Sequence, residues 1–311
     1  MNVSKLALLF ILLIFISGCN SSEEKNSTTG VETKTKGYET TTSRNISSQF
    51  KDYWFGGEAE ITSYKLMQER YGEIREGTAV NIFVTEDFLP KEQVKTNTSS
   101  NTNVLVMKLN QMKNFNTGIY PYSIMSSSFS PITTTGHALK ISNSVQEWCG
   151  QVYMQLNNRD NFEIEAHSYF EGEADQKLSL QKTWLEDELW NLIRINPEEL
   201  PTGDLTVIPS FEYIRLRHKE IKEYKAFANL KQGDSITVYT LNYIDLQRQL
   251  KLFFKSRFPY EIEKWEEVNV SMQNDTLRLR TTATKLKRMK TNYWNKNRNE
   301  FTHLRDSLEL M

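Results

Sequence analysis

The stretch Val145-Gln146-Glu147-Trp148-Cys149-Gly150-Gln151-Val152-Tyr153-Met154-Gln155-Leu156 carries the strand pattern of this chain most clearly. Its larger apolar side chains fall on one parity: Trp148, Val152, Met154 and Leu156. An alternation with a period of two predicts a strand with one buried and one solvated face. We therefore predict a strand over residues 145–156, with Cys149 inside it as a half-buried thiol.

A second alternation follows after the turn residues 157–160. In it, Phe162, Ile164 and Ala166 alternate with polar residues up to His167. Two alternating runs joined by a short polar turn predict a β-hairpin with one face in the core. Similar runs predict strands over most of the remaining body, at residues 58–66, 71–75, 79–88, 104–109, 115–125, 205–216, 221–228, 235–243, 249–254 and 276–284.

Two segments have helical spacing instead. A capping box at Thr183–Glu186, followed by Leu189, Leu192 and Ile193, predicts a helix inserted between strands. From Lys285 to Leu308, apolar residues recur at intervals of three or four and predict an amphipathic C-terminal helix. The predicted fold is mainly β, an antiparallel curved half-barrel or sandwich with one inserted helix and a C-terminal helix. We expect the C-terminal helix to cover the concave face and leave no large lipid cavity.

The chain begins with a targeting signal. Lys5 precedes the apolar run Leu6–Ile16, and small residues lead to Cys19. A basic start, a short apolar run and a small-residue cleavage site describe a secretory signal, here residues 1–18. The run is shorter than the ~20 residues that a membrane-spanning helix needs. The string Ile16-Ser17-Gly18-Cys19 resembles a bacterial lipobox, which implies that Cys19 is lipidated and anchors the chain to a membrane.

The residues after Cys19 predict a tether and then one domain. Residues 19–48 are rich in Ser, Thr, Asn, Glu and Lys, a composition that cannot bury enough apolar surface to fold. Residues 49–311 then form a single β-rich domain. Asn20 differs from the Asp that retains lipoproteins at the inner membrane, and Ser21–Glu24 resembles a short export tag. We therefore expect an outer-membrane lipoprotein that faces the periplasm or is exported to the cell surface.

Composition excludes several classes of function. The 311 residues contain 38 Lys and Arg against 39 Asp and Glu, a net charge of −1. Loss of Lys5 with the signal leaves about −2, which argues against nucleic acid as a partner. With Cys19 acylated, Cys149 has no partner for a disulfide. We find no phosphate-binding loop and no metal-binding motif, and predict no cofactor and no metal.

Two groups of charged residues are candidate sites. The similar strings Phe55–Glu60 and Phe170–Asp175 could supply a pair of catalytic carboxylates, although acids at this spacing are ordinarily the solvent face of a strand. The candidates are Glu58, Glu60, Glu171 and Glu173. The basic segment near the C-terminus could contact lipid head groups or a partner, or could be a solvated face. Its candidates are Lys285, Lys287, Arg288, Lys290 and Trp294.

Several motifs together are similar to a family of Bacteroidota-type outer-membrane lipoproteins of unsettled function. They are residues 54–60, 85–90, 118–123, 146–150 and 170–175. Some members carry the label of the Maf septum formation inhibitors, which are nucleotide pyrophosphatases. That family's Ser-Pro-Arg-Arg string is represented here only by Ser130-Pro131, followed by Ile132 and Thr133. The motifs therefore do not support that activity.

The sequence favours a binding or assembly module over an enzyme. We expect a lipid-anchored protein of the cell envelope whose β-rich body binds a protein, a glycan or a lipid. The alternative is a hydrolase that acts on an envelope substrate through a carboxylate pair.

Overall fold

Antiparallel strands dominate the structure, a computed structural model that describes residues 41–270 and 278–310. The strands are β1 Ala59–Arg70, β2 Glu73–Leu89, β3 Val94–Lys95, β4 Val104–Thr117, β5 Tyr120–Pro131, β6 Lys140–Glu147, β7 Gly150–Asn158, β8 Phe162–His167, β9 Gln176–Leu180, β10 Trp184–Leu185, β11 Gly203–Ile208, β12 Tyr224–Lys231, β13 Ile236–Tyr243, β14 Arg248–Lys255, β15 Ile262–Val270 and β16 Arg278–Thr291. The predicted mainly β fold is confirmed.

All of these strands belong to one open, curved sheet. Its order is β10-β11-β12-β13-β14-β15-β16-β1-β2-β4-β5-β6-β7-β8-β9, and β3 pairs with β2 beside this path. Most neighbours are hairpins, but β1 pairs with β16 and so joins the first strand of the sheet to the last. Strands this numerous must curl as they twist, which gives the sheet a concave face that needs covering.

Four helices lie in the described ranges. They are α1 Ser48–Trp54, α2 Glu186–Ile195, α3 Phe211–Arg217 and α4 His303–Ser307. Among them, none has the length and apolar character that crossing a membrane requires. Every residue of α2 is buried. Its Leu189, Leu192 and Ile193 share one apolar core with residues from strands of both halves of the sheet.

Helix α2 begins later than its sequence signal predicts. The Thr183 hydroxyl donates to the carbonyl oxygen of Thr206 at 2.6 Å and does not cap the helix. The carboxylate of Glu188 accepts the backbone N–H of Leu185 at 3.1 Å, so the helix starts at Glu186. The inserted helix is thus real, but Thr183 bonds to β11 instead of the helix.

The predicted extent of the C-terminal helix, Lys285 to Leu308, is wrong. Residues 285–291 continue β16, and only α4 near the end of the chain is α-helical. Between the pairs Thr62–Arg288 and Tyr64–Lys285, one residue of β1, Ser63, faces two residues of β16, Leu286 and Lys287, which is a β-bulge. A bulge adds one residue to a strand and shifts its alternation by one position, so it interrupts the period of two by which a strand is recognised in a sequence. The concave face is instead covered by α2.

Residues 145–156, which were predicted as one strand, form parts of two strands. β6 ends at Glu147 and β7 begins at Gly150, with Glu147 and Gly150 paired across the turn. Trp148 is 67% exposed at that turn, and Cys149 is exposed and not half-buried. The alternation in β8 is confirmed, because Phe162, Ile164 and Ala166 are buried. Residues 115–125 and 205–216 likewise divide, the first into β4 and β5 and the second into β11 and α3.

The folded body begins before residue 49, earlier than the predicted tether allows. The N–H of Thr135 donates to Thr42 at 2.8 Å, and Arg44 forms an ion pair with Glu199 at 2.6 Å. The predicted signal peptide, Cys19 and residues 20–40 of the predicted tether lie outside the described residues.

Candidate functional site

The four candidate carboxylates are not brought together. Glu60 lies in β1, whereas Glu171 and Glu173 lie in the turn between β8 and β9. Six strand steps separate β1 from β8 in the sheet. Glu173 accepts bonds from Ser168 at 2.6 Å and from His218 at 2.5 Å, and Glu60 bonds to a different set of residues. Gly57 and Gly172 both have positive φ, so the two similar strings share turn chemistry.

Glu60 belongs to a buried ion pair. Both of its oxygens accept from Arg194 of α2, at 2.6 and 2.8 Å, and each side chain is only 1% exposed. Burial by itself raises the pKa of the Glu60 carboxyl, but Arg194 outweighs it and holds that pKa below its ordinary value. Glu60 therefore stays ionised and fixes α2 on β1, a structural role and not that of a proton donor.

The N-terminal turn of α2 carries further buried acids. Glu186 accepts Arg248 Nη2 at 2.7 Å, and Arg248 Nε donates to Glu267 at 2.7 Å. Burial, with the neighbouring Glu186 charge, raises the pKa of Asp187 to about 7. A raised carboxyl pKa is a common feature of active sites, which makes this cluster a candidate on chemistry alone.

The space around that cluster is too small for a substrate. The cavity beside Glu186, Asp187 and Arg248 has a volume of about 30 Å³. That volume holds a few water molecules at most. The charged groups are instead paired, as Lys113 is with Glu212 at 2.7 Å. The cluster therefore orients α2 on the sheet and leaves no room for a ligand.

The predicted basic segment is a strand whose charges are paired. Lys285 lies 2.7 Å from both Glu261 and Glu263, and Lys287 lies 3.2 Å from Glu309. Arg288 pairs with Glu261, and Lys290 comes within 3.9 Å of Glu58. Neighbouring carboxylates thus offset much of the positive charge that would attract anionic lipid.

Trp294, by contrast, lies in an open groove that also contains Glu58. We call it the Trp294 groove; its volume is about 660 Å³. It is lined by Gly57, Glu58, Val84, Thr85, Glu86, Asp87, Lys95, Thr96, Asn97, Thr98, Ser99, Tyr293 and Trp294. That volume falls within the range of small-molecule and peptide sites, and a few aromatic and polar groups in a concave surface are typical of binding sites.

The walls of the Trp294 groove combine aromatic surface with negative charge. Trp294 is 43% exposed, and its ring lies 5.4 Å from that of Tyr293. Three carboxylates, those of Glu58, Glu86 and Asp87, face one ammonium group of Lys95 in the lining. Glu86 Oε1 accepts Lys108 at 2.7 Å, but Glu86 Oε2 is buried without a hydrogen-bond partner in the described part of the chain. Because that atom has no exposed surface, a ligand in the groove cannot reach it.

A second depression, of about 470 Å³, lies beside α1. Its charged lining residues, Arg44 and Glu199, already satisfy each other at 2.6 Å. Within residues 41–270 and 278–310, no group of three or more His, Cys, Asp or Glu side chains could hold a metal ion. The Trp294 groove is therefore the better candidate for ligand binding.

Sequence reasoning found only two of the groove's residues, Glu58 and Trp294. Glu86 and Asp87 lie within the strand predicted over residues 79–88, and residues 96–99 lie in a polar stretch after it. No local pattern marks them, because the groove joins segments that are up to 237 residues apart, from Gly57 to Trp294.

No protein-family model and no curated protein matches the chain. Among solved structures, a β-barrel-like protein of the domain of unknown function DUF1849 from Brucella abortus is similar. The two chains are 8% identical with a TM-score of 0.44, over 75% of this chain and 97% of the other.

Proposed function

We propose that this protein is a lipid-anchored binding module of the outer membrane, and that its ligand site is the Trp294 groove. The observation that carries the proposal is that one concave surface combines a ligand-sized volume, an exposed Trp and the carboxylate of Asp87, which forms no ion pair in the described part of the chain. Of the four candidate carboxylates, only Glu58 lines this groove. The four predicted candidates therefore do not form a catalytic pair in this groove.

The anchor in this proposal rests on Cys19. Each buried CH₂ of an acyl chain contributes about 0.8 kcal/mol, so a multiply acylated Cys19 would hold the body at the membrane durably. We expect Cys19→Ala to abolish the incorporation of labelled fatty acid and to release the protein from the membrane fraction. Cys149→Ala is the matched control and should be labelled as the unaltered chain is. Labelling of the Cys19→Ala chain would contradict the anchor.

The groove can be tested in intact cells that make the full-length chain. A photo-reactive phenylalanine analogue replaces Trp294 in one variant and Trp148 in a control, since both side chains are exposed. We expect a discrete cross-linked adduct at position 294 that fades when Glu58→Gln and Asp87→Asn are added. The control should give no such adduct, because Trp148 lies at the distant β6–β7 turn.

Two results would contradict the binding role of the groove. One is an identical adduct at both positions, which would indicate nonspecific contact. The other is the absence of any adduct at position 294 while the protein is folded and correctly located.

A further inference from the structure

The floor of the Trp294 groove is an edge of strand β2 that no other strand of the described ranges pairs with. Residues 84–87 of β2 pair with β4 on one side, from Val84 opposite Lys108 to Asp87 opposite Leu105. On the other side, β1 stops at the pair Glu60–Phe83 and β3 starts at the pair Lys95–Phe88. Between those two pairs, no strand of the described ranges covers the edge.

The two segments that flank this gap, one before β1 and one after β3, diverge from β2 before they meet. If the β1 register continued, Glu58 would lie opposite Thr85, but Gly57 has φ +74° and the chain diverges into the groove wall. From the other end, the N–H of Thr96 donates to the carbonyl oxygen of Asp87 at 3.0 Å, and residues 97–99 then diverge as well. The gap they leave is about three residues long.

The backbone N–H and C=O groups that point into this gap are those of Thr85. In a strand, the N–H and C=O of one residue point to the same side, and residues two apart share that side. The Asp87 carbonyl faces β3, so the Thr85 N–H and C=O point into the groove. An extended peptide placed there can exchange two hydrogen bonds with Thr85, as in other cases of strand addition.

The charge of the walls favours a basic side chain on that peptide. The Asp87 carboxylate has no ion pair in the described part of the chain and accepts only a long hydrogen bond there, from Ser99 at 3.4 Å. A Lys or Arg side chain would give the Asp87 carboxylate a charged donor, and the face of Trp294 can also hold a cation.

We propose that the Trp294 groove binds an extended, basic segment of about three residues from another protein, which adds as a short strand beside Thr85. This inference rests on the proposed function, since it specifies the ligand of the same groove. A neutral glycan is the competing ligand, and it would use Trp294 without needing the strand edge.

Four probes separate these ligands when each is titrated into the full-length protein and Trp294 fluorescence is followed. They are acetyl-Val-Lys-Val-amide, the same peptide with an N-methyl group on Lys, acetyl-Val-Glu-Val-amide, and a neutral N-acetylglucosamine tetramer. Trp294→Phe should abolish the signal, and Trp148→Phe should preserve it. We expect the Lys peptide to bind about tenfold more tightly than either the N-methylated or the Glu peptide. Asp87→Asn should weaken binding of the Lys peptide by a similar factor, and Asp234→Asn, at an exposed turn, should leave that binding unchanged.

Equal binding of the N-methylated peptide would overturn strand addition, and equal binding of the Glu peptide would overturn the basic preference. Saturable binding of the sugar alone would replace the peptide with a glycan and leave the proposed function standing. If no probe binds but the position-294 adduct forms in cells, the basic-segment inference falls and the binding role survives. If neither occurs, both fall.

Discussion

At the scale of single residues, the pair of Glu60 and Arg194 illustrates why charge is found in this core. Arg194 is fully buried, and it also donates to the carbonyl oxygen of Pro259 at 2.9 Å. A buried pair gains little overall, because removing two charges from water is costly. Removing one partner, however, leaves the other charge buried and unpaired.

We therefore expect Glu60→Gln to lower the free energy of unfolding by about 3–5 kcal/mol. The double variant Glu60→Leu with Arg194→Met should be more stable than Glu60→Gln, because it leaves no buried charge. Urea unfolding of the chain measures both values.

The matched control is the exposed pair of Lys65 and Glu76, whose side chains are 54% and 69% exposed. Glu76→Gln should cost less than about 1 kcal/mol. A Glu60→Gln variant no less stable than Glu76→Gln would contradict the structural role of the buried pair.

At the scale of elements, β16 shows where sequence reasoning fails. Its segment 285–291 lacks a clear period of two, because the bulge opposite Ser63 interrupts the alternation. A bulge is set by the partner strand, so no pattern within 285–291 reveals it. By contrast, β8 has an undisturbed alternation, and its hairpin was predicted correctly.

The strand assignment predicts that two C-terminal deletions behave differently. Removing residues 285–311 takes away five of the eight β16 residues that pair with β1, those from Lys285 to Thr291, and should unfold the domain. Removing residues 292–311 keeps that pairing and loses mainly the packing of Leu308 against Ile61 and Val80. The shorter deletion should cost about 1.5–3 kcal/mol, the value of burying one large apolar side chain.

Circular dichroism and thermal unfolding of the two truncated proteins check this expectation. The longer deletion should lose its β signal, and the shorter one should keep it with a lowered melting temperature. If both proteins melted alike, the pairing of residues 285–291 with β1 would be contradicted.

At the scale of the whole molecule, the fold could be predicted from the sequence further than the site. Alternation is a local property, so the mainly β class and the inserted helix are both visible in the sequence. The Trp294 groove depends on how β1 and β3 end beside β2, and on where the chain runs after β16. Those are outcomes of long-range pairing, and Glu58 and Trp294 entered as candidates for other reasons.

We propose that a ligand binds at the uncovered edge of β2 in the Trp294 groove. Backbone hydrogen exchange of the full-length protein, with and without acetyl-Val-Lys-Val-amide, tests it most directly. We expect the peptide to slow hydrogen exchange at the Thr85 N–H and to leave the exchange rates of the amides at the β6–β7 turn near Trp148 unchanged. Unchanged exchange at Thr85 under saturating peptide, or protection confined to the β6–β7 turn, would contradict it.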